Sequence, residues 1–210
     1  VRVAEPLKLS AFLEEQDGPW STLDRDNKKE SLRGLAEDIL HRINRGVVVV
    51  PTGLVALALM AHHRPGVPTK VLEARVARFR DLIVEAGAEL SARCDDPAHA
   101  LTVALKHFHS INALEELAGA DDSMLRIEAI TRVTLDLYKN GALHFLLSGS
   151  LVAAAIRARG LDDFSADDLL ADIRFQLFLL RDEFVSDPGV DEQDFMARGL
   201  GQLQRIGMLF

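Results

Sequence analysis

The chain has 210 residues, of which 48% are hydrophobic and 27% are charged, and its formal net charge is −8. These values describe a globular chain that can bury a core, and they exclude an intrinsically disordered protein. No basic run exceeds the pair Lys28 and Lys29, so the cationic surface that nucleic acid requires is missing. The single cysteine, Cys94, excludes an internal disulfide and suits a reducing cytoplasm.

The first residues predict the end of a strand at Val1–Val3, then a short helix over Ala11–Gln16 with Ser10 as its cap. A strand end needs a partner strand, and the remainder of the chain predicts helices. The chain also begins with valine and shows no signal peptide. We therefore expect it to be a piece of a longer protein.

The next segment predicts two helices on either side of a short strand. Apolar residues between positions 28 and 45 step by three and four, which indicates one face of an amphipathic helix: Leu32, Leu35, Ile39 and Ile43. Val47–Val50 predicts a buried strand, and Pro51 can open a second helix over Thr52–Ala61.

The middle of the chain predicts a helix packed lengthwise in a bundle. Thr69 can cap it, and apolar residues alternate steps of four and three: Leu72, Val76, Phe79, Ile83, Ala86 and Leu90. Asp96 as cap with Pro97 at the first helical position opens another helix to about His107. Positions 107–119 favour neither helix nor strand.

The last part of the chain predicts four further helices. The first carries Ile127, Ile130, Val133 and Leu137 and ends at the dipeptide Asn140–Gly141. Ala142–Ala158 is apolar nearly all round, which predicts the most buried helix. Ser165 and Asp168 resemble a capping box, and Glu192–Ile206 forms the final helix. The fold class is therefore mainly α, a helical bundle with a residual N-terminal strand end.

Two apolar stretches, 47–61 and 142–156, raise the question of a membrane. Each is about 15 residues long, which is short of the roughly 20 that a spanning helix needs. We interpret them as buried core helices, with contact of one face with a membrane as the alternative.

No chemical motif stands out among the histidines and acids. His107 and His109 lack carboxylates at metal spacing, so neither a metal site nor a cofactor is expected. His144, on an apolar helix, is interpreted as a core histidine. The acids after position 160 are interpreted as solvated faces and helix N-terminal charges.

Three segments, in order, resemble one enzyme family. Residues 35–59 read LAEDILHRINRGVVVVPTGLVALAL, residues 138–145 read YKNGALHF before SLVA at 150–153, and residues 3–13 read VAEPLKLSAFL. They are similar to the "INR … TPTALVA", "YYRNNxLHxF … SLVA" and "FGEPVSLREYL" segments of membrane-associated bacterial glycerol-3-phosphate acyltransferases. Four positions depart from the family pattern: Ala4, Val50, Gly53 and Gly141.

The resemblance implies a reaction for the parent protein. These enzymes transfer an acyl group from acyl-CoA or acyl carrier protein to the sn-1 hydroxyl of glycerol 3-phosphate, with a His-x₄-Asp motif as the base. None of the seven histidines here has aspartate five positions on. The resemblance thus implies that this chain lacks the catalytic motif, that residues 1–23 are the tail of the acyltransferase domain, and that 24–210 form a C-terminal helical domain.

The resembling segments also supply candidate binding or domain-interface residues: Arg42, Asn44, Arg45, Thr52, Tyr138, Asn140 and His144. Helix capping and contacts between helices are the alternative role for these residues. The implied partners are the protein's own acyltransferase domain, the acyl donor and glycerol 3-phosphate. The implied location is the cytoplasmic face of the membrane, through peripheral contact, or the cytoplasm. Two other classes stay open: a helical ligand-binding domain of a regulator and a membrane-associated interaction module without catalysis.

Overall fold

A computed structural model of the chain describes residues 6–15, 18–62, 64, 66–118, 123–160, 164–184 and 190–208. The predicted mainly α fold is confirmed in these residues. The helices are α1 Leu9–Glu14, α2 Arg25–Arg45, α3 Pro51–Met60, α4 Thr69–Glu85, α5 Pro97–Ser110, α6 Ala129–Leu143, α7 Leu147–Arg159, α8 Ala166–Leu180 and α9 Glu192–Arg205. The strand end predicted at Val1–Val3 lies outside the described residues.

Short strands join the helices in two small sheets. The strands are β1 Val48–Val49, β2 Gly66–Pro68, β3 Glu89–Leu90, β4 Glu115–Leu117 and β5 Met124–Arg126. β1 pairs in parallel with β3, and β5 lies between β2 and β4 in antiparallel pairing. The sequence predicted only β1. The others have two or three residues each, too few to show an alternating pattern.

α3 is the centre of the larger core. Its sequence is apolar on every side, and eight of its ten residues are buried. Pro51 stands at its first position, as predicted, where the missing N–H has no helical partner to lose. α4, α5 and α6 pack around it. A Cβ at Gly53 would lie 3.2 Å from the carbonyl oxygen of Tyr138, so this glycine lets the α6 backbone approach closely.

The prediction of one most-buried helix over Ala142–Ala158 was wrong. α6 continues through Asn140 and Gly141 to Leu143, a 3₁₀ turn spans His144–Leu146, and α7 then begins. Gly141 does not adopt the left-handed conformation that ends a helix, which is why the predicted end at Asn140–Gly141 was also wrong. α7 packs on α8 and α9 in a second, smaller core.

The apolar residues that predicted α6 do not all face the core. Ile130, Val133 and Leu137 are 80%, 68% and 72% exposed, and we call these three residues the α6 seam. Leu135 is buried instead, and Tyr138 packs against the same core. α6 therefore meets α3 through a different face from the one its aliphatic spacing indicated.

Helix starts were predicted well where a side chain caps the backbone. Asp96 accepts from the N–H groups of Ala98 and His99, and Ser165 with Asp168 forms the predicted capping box. Two predicted caps were wrong, because Ser10 lies inside α1 and Thr69 is the first residue of α4. The Thr69 hydroxyl donates to the carbonyl oxygen of Ser123 and so ties α4 to the strand region.

The bundle stripe predicted along α4 is largely confirmed. Leu72, Val76 and Ile83 are fully buried, and Phe79 is partly buried against the same core. Cys94 is buried there too, and burial, with Asp95 nearby, raises the pKa of its thiol to about 11. The thiol donates to the carbonyl oxygen of Val49 at 3.6 Å.

The stretch Ile130–Arg159 is long and apolar enough to cross a membrane by length and composition. It comprises α6, the 3₁₀ turn and α7, which pack against α3, α8 and α9. Core helices of water-soluble proteins meet the same two criteria, so the stretch is weak support for a membrane span.

Candidate functional site: a cleft beside His144

A cleft of about 1250 Å³ opens where the two cores meet. The ends of α2 and α4 form one side, and the junction of α6 and α7 forms its floor. α9 and the C-terminal end of α8 close the other side. Polar and apolar side chains both line it, among them Leu40, His41, Asn44, Arg45, Glu85, Asn140, Leu143, His144, Phe145, Ser148, Leu177, Phe184, Phe195, Arg198, Gln202 and Arg205.

His144 joins α2 to the body of the protein at this cleft. Its Nε2 lies 3.1 Å from the carbonyl oxygen of Asn44 and donates to it. The backbone carbonyl oxygen of Asn140 is a second acceptor near the ring, and only a protonated ring could donate to both carbonyl groups at once. Burial lowers the pKa of His144 below its ordinary value, although both backbone hydrogen bonds act in the opposite direction. The neutral ring is thus favoured, as expected for a partly buried core histidine.

The cleft brings together four of the residues predicted from the resembling segments. Asn44, Arg45, Asn140 and His144 all line it, although residues 44–45 and 140–144 are about 100 positions apart in the sequence. The remaining three predicted residues, Arg42, Thr52 and Tyr138, are not among the lining residues.

Arg42 and Tyr138 have structural partners elsewhere. The Arg42 Nε donates to both carboxylate oxygens of Asp38, one turn earlier in α2, at 3.1 and 3.0 Å. The Tyr138 hydroxyl lies 2.7 Å from His107 Nε2, and its ring meets Phe108 edge-on at 5.4 Å between centroids. Tyr138 therefore fastens α6 to α5, which is the structural role that the sequence left open.

Sequence reasoning missed Gln202, which is buried at the cleft floor. Its Oε1 accepts from the Gly149 N–H at 2.9 Å and from the Ser148 hydroxyl at 3.1 Å. Its Nε2 donates to the carbonyl oxygen of Phe145 at 3.3 Å. The amide thus satisfies backbone groups at the start of α7, where helical partners are lacking. A lone glutamine near a helix end gave no sequence indication of this.

The charges around the cleft are mixed in sign. Arg205 donates to Glu85 at 2.7 Å and links the last turns of α9 and α4. Arg174 of α8 lies 3.8 Å from Glu192 of α9. Among the residues that the structure describes, no group of three or more His, Cys, Asp or Glu side chains could hold a metal ion. The cleft therefore offers binding surface, charges of both signs and hydrogen-bonding groups.

Comparison with known proteins agrees with the order of the resembling segments. The sequence profile of the glycerol-3-phosphate acyltransferase C-terminal region matches residues 1–210. This chain belongs to that family. The four predicted cleft residues therefore lie in a glycerol-3-phosphate acyltransferase C-terminal region.

Individual relatives support the assignment. The chain is 30% identical over 162 residues to a glycerol-3-phosphate acyltransferase of Aeromonas hydrophila, which covers 74% of this chain and 20% of that protein. It is 26% identical over 164 residues to the enzyme of that name from Pseudomonas putida strain GB-1, and the match covers 73% of this chain and 19% of that protein. The identity to the glycerol-3-phosphate acyltransferase of Pseudoalteromonas atlantica is 25% over 216 aligned positions, and the match covers 98% of this chain and 26% of that protein. The chain thus spans about a fifth to a quarter of these relatives.

Proposed function

We propose that this chain is the C-terminal helical part of a glycerol-3-phosphate 1-O-acyltransferase. The parent enzyme transfers an acyl group from acyl-CoA or acyl carrier protein to the sn-1 hydroxyl of glycerol 3-phosphate and so forms lysophosphatidate. One observation carries the proposal: the profile of the family's C-terminal region spans residues 1–210, and the relatives are about four to five times longer than the matched part.

The chain does not catalyse the reaction by itself in this proposal. Acyl transfer to a hydroxyl needs a base to take its proton, and a second group that orients the base. A His-x₄-Asp motif supplies both in the family, as implied by the resemblance. The residues five positions after the seven histidines are Gly46, Val67, Pro68, Ala104, Asn112, Leu114 and Gly149. The base must come from another part of the parent.

The role of the chain is to support that catalytic part. We propose that residues 1–23 belong to the acyltransferase domain and that 24–210 are a separate helical domain. Asn44, Arg45, Asn140 and His144 line one cleft between the two cores, which favours a shared role at the boundary with the catalytic domain. Arg42, Thr52 and Tyr138 lie outside the cleft, in α2, α3 and α6, and in this proposal they hold those helices in place. Peripheral attachment to the cytoplasmic face of the membrane belongs to the same proposal.

A three-way activity assay tests the proposal. Residues 1–210, the upstream part of the gene product, and the full-length protein are each supplied with acyl-CoA and radiolabelled glycerol 3-phosphate. We expect labelled lysophosphatidate from the full-length protein and none above a heat-killed control from residues 1–210. We expect the upstream part to lose activity and to regain some when residues 1–210 are added in trans.

Three outcomes would contradict the proposal. One is product formation by residues 1–210 alone, and another is full activity of the upstream part without them. The third is a gene that encodes no His-x₄-Asp motif before Val1. Flotation of the full-length protein with liposomes tests the membrane attachment separately.

A further inference from the structure

The most unusual element of the molecule is α2, a helix of 21 residues none of which is buried. Four of its aliphatic side chains lie on one face, and we call these residues the α2 seam: Leu32, Leu35, Ile39 and Ile43. Leu32, Ile39 and Ile43 are 52%, 42% and 57% exposed. In water a helix of this length gains most of its stability from packing of its apolar face. Leu35 is partly buried, but among the residues that the structure describes the rest of the α2 seam lacks the cover that such a spacing predicts.

The described residues hold α2 mainly at its C-terminal end. There the Asn44 carbonyl oxygen accepts a hydrogen bond from His144 Nε2, and β1 follows and pairs with β3. Along its length the helix is stabilised by its own ion pairs, Arg33 with Glu37 and Arg42 with Asp38. The seam is thus left uncovered by the described part of the chain, while the end of α2 is held in place.

The chemistry of α2 favours a protein surface over a lipid surface. Helices that lie in a membrane interface carry a strongly charged polar face that is rich in lysine and arginine. The polar face of α2 instead mixes acids with bases, as the ion pairs Arg33 with Glu37 and Arg42 with Asp38 show. A narrow aliphatic seam between charges of both signs is typical of a helix packed on another helix. A second copy of the chain is disfavoured because the net charge of −8 opposes self-association.

We propose that the α2 seam docks the upstream region of the same polypeptide, an inference that rests on the proposed function. The matched relatives extend well beyond the matched part, and the family is a C-terminal region, so most of such a parent precedes α2. α2 is the first long helix of the chain and therefore the nearest one to that region in sequence. A covalently attached partner is present at high effective concentration, so the small apolar area of the seam is sufficient for stable docking.

Docking on α2 has a consequence for the cleft. Beside and behind the seam, the C-terminal half of α2 carries residues that form a wall of the cleft: Leu40, His41, Asn44 and Arg45. The upstream region would then contact the same helix that borders the cleft. His144 is a positioning residue in this arrangement, because it holds the end of α2 against the junction of α6 and α7.

Site-specific labelling of the full-length protein tests the docking. Ile39→Cys places a thiol on the seam, and Glu30→Cys is its matched control, because nine residues along a helix correspond to a rotation of roughly 180°. Glu30 and Ile39 are both exposed in the described chain. The variants are labelled with a small maleimide in detergent solution, and mass spectrometry measures the rate at each introduced cysteine. We expect Ile39→Cys to be labelled at least about ten-fold more slowly than Glu30→Cys. Ile43→Cys serves as a second seam variant.

Other results overturn the docking inference. Equal labelling rates in an enzymatically active full-length protein would show an uncovered seam while leaving the proposed function intact. Protection that requires vesicles of phosphatidylethanolamine and phosphatidylglycerol would make lipid the occupant. Protection that grows with protein concentration would make it a second copy. A gene product with no upstream region would instead remove the proposed function itself.

Discussion

The core around α3 and the core shared by α7, α8 and α9 differ in what fills them. The buried residues around α3 are aliphatic and aromatic, with Leu54, Leu59 and Phe108 fully enclosed. The second core is smaller and relies on two glycines, Gly149 and Gly199, where α7 and α9 nearly touch. A single buried amide, Gln202, bonds the two helices there. The first core therefore depends on a large buried apolar volume, whereas the second combines a smaller apolar cluster with close backbone approach and a polar contact.

The largest expected effect comes from removing volume in the first core. Leu54→Ala should lower the free energy of unfolding by about 2–5 kcal/mol, because the fully enclosed side chain leaves a cavity. Leu137→Ala, the same substitution on the exposed α6 seam, should change it by less than about 0.5 kcal/mol. Urea unfolding of residues 1–210 followed by circular dichroism measures both. Similar losses in the two variants would contradict the central place of α3.

Two glycines in α9 test the close approach in the second core. A Cβ at Gly199 would lie 2.5 Å from Val152 Cγ2 and 2.6 Å from the Ser148 carbonyl oxygen, so Gly199→Ala should destabilise the protein by about 1–3 kcal/mol. At Gly201 a Cβ meets nothing within 4 Å. Gly201→Ala should therefore stabilise the helix by up to about 1 kcal/mol. Effects of the same sign at both positions would mean that α7 and α9 pack less closely than described.

Gln202 tests whether the second core depends on its polar contact. Gln202→Ala leaves the Gly149 N–H and the Phe145 carbonyl oxygen without their side-chain partner, which should cost about 1–3 kcal/mol. Gln204→Ala, at an exposed position of the same helix, is the control and should cost less than about 0.5 kcal/mol. Hydrogen exchange at the Gly149 amide should accelerate only in the first variant. An unchanged exchange rate would refute the capping role.

The smallest expected effect lies at His144, where the two cores meet. Its pKa is lowered in the folded protein, so the unfolded chain binds the proton more tightly. Stability from the neutral ring is therefore complete above the unfolded value, about 6.5, and decreases as the pH falls through the lowered folded pKa. Between about pH 5 and about pH 8, the free energy of unfolding should depend less steeply on pH in His144→Gln than in the wild-type protein.

The control for His144 is the same substitution at an exposed histidine, His99→Gln, which removes an imidazole from the surface. If His144→Gln leaves the pH dependence of the unfolding free energy as it is in the wild-type protein, burial at this junction does not lower the pKa of His144.

The sequence by itself determined the helical class, several helix starts and the family. Asp96 with Pro97, and Ser165 with Asp168, act through local hydrogen bonds to their own backbone, which is why neighbouring residues suffice to predict them. The stripe along α4 was predictable because a regular spacing places its residues on one face. The segments 35–59 and 138–153 identified the family because their order along the chain is itself specific.

Only the tertiary structure decided which faces are covered and which residues share a cleft. The α6 seam has the same helical spacing as core residues have: Ile130, Val133 and Leu137. Nevertheless α3 packs on another face of α6, and the seam is exposed. Asn44 and His144 meet because β1, α3 and the sheets return the chain to the end of α2. Gly199 and Gln202 matter through contacts with Ser148 and Gly149, about 50 residues away in sequence. Spacing along a helix defines a face, but the partner of that face is set by packing between distant segments.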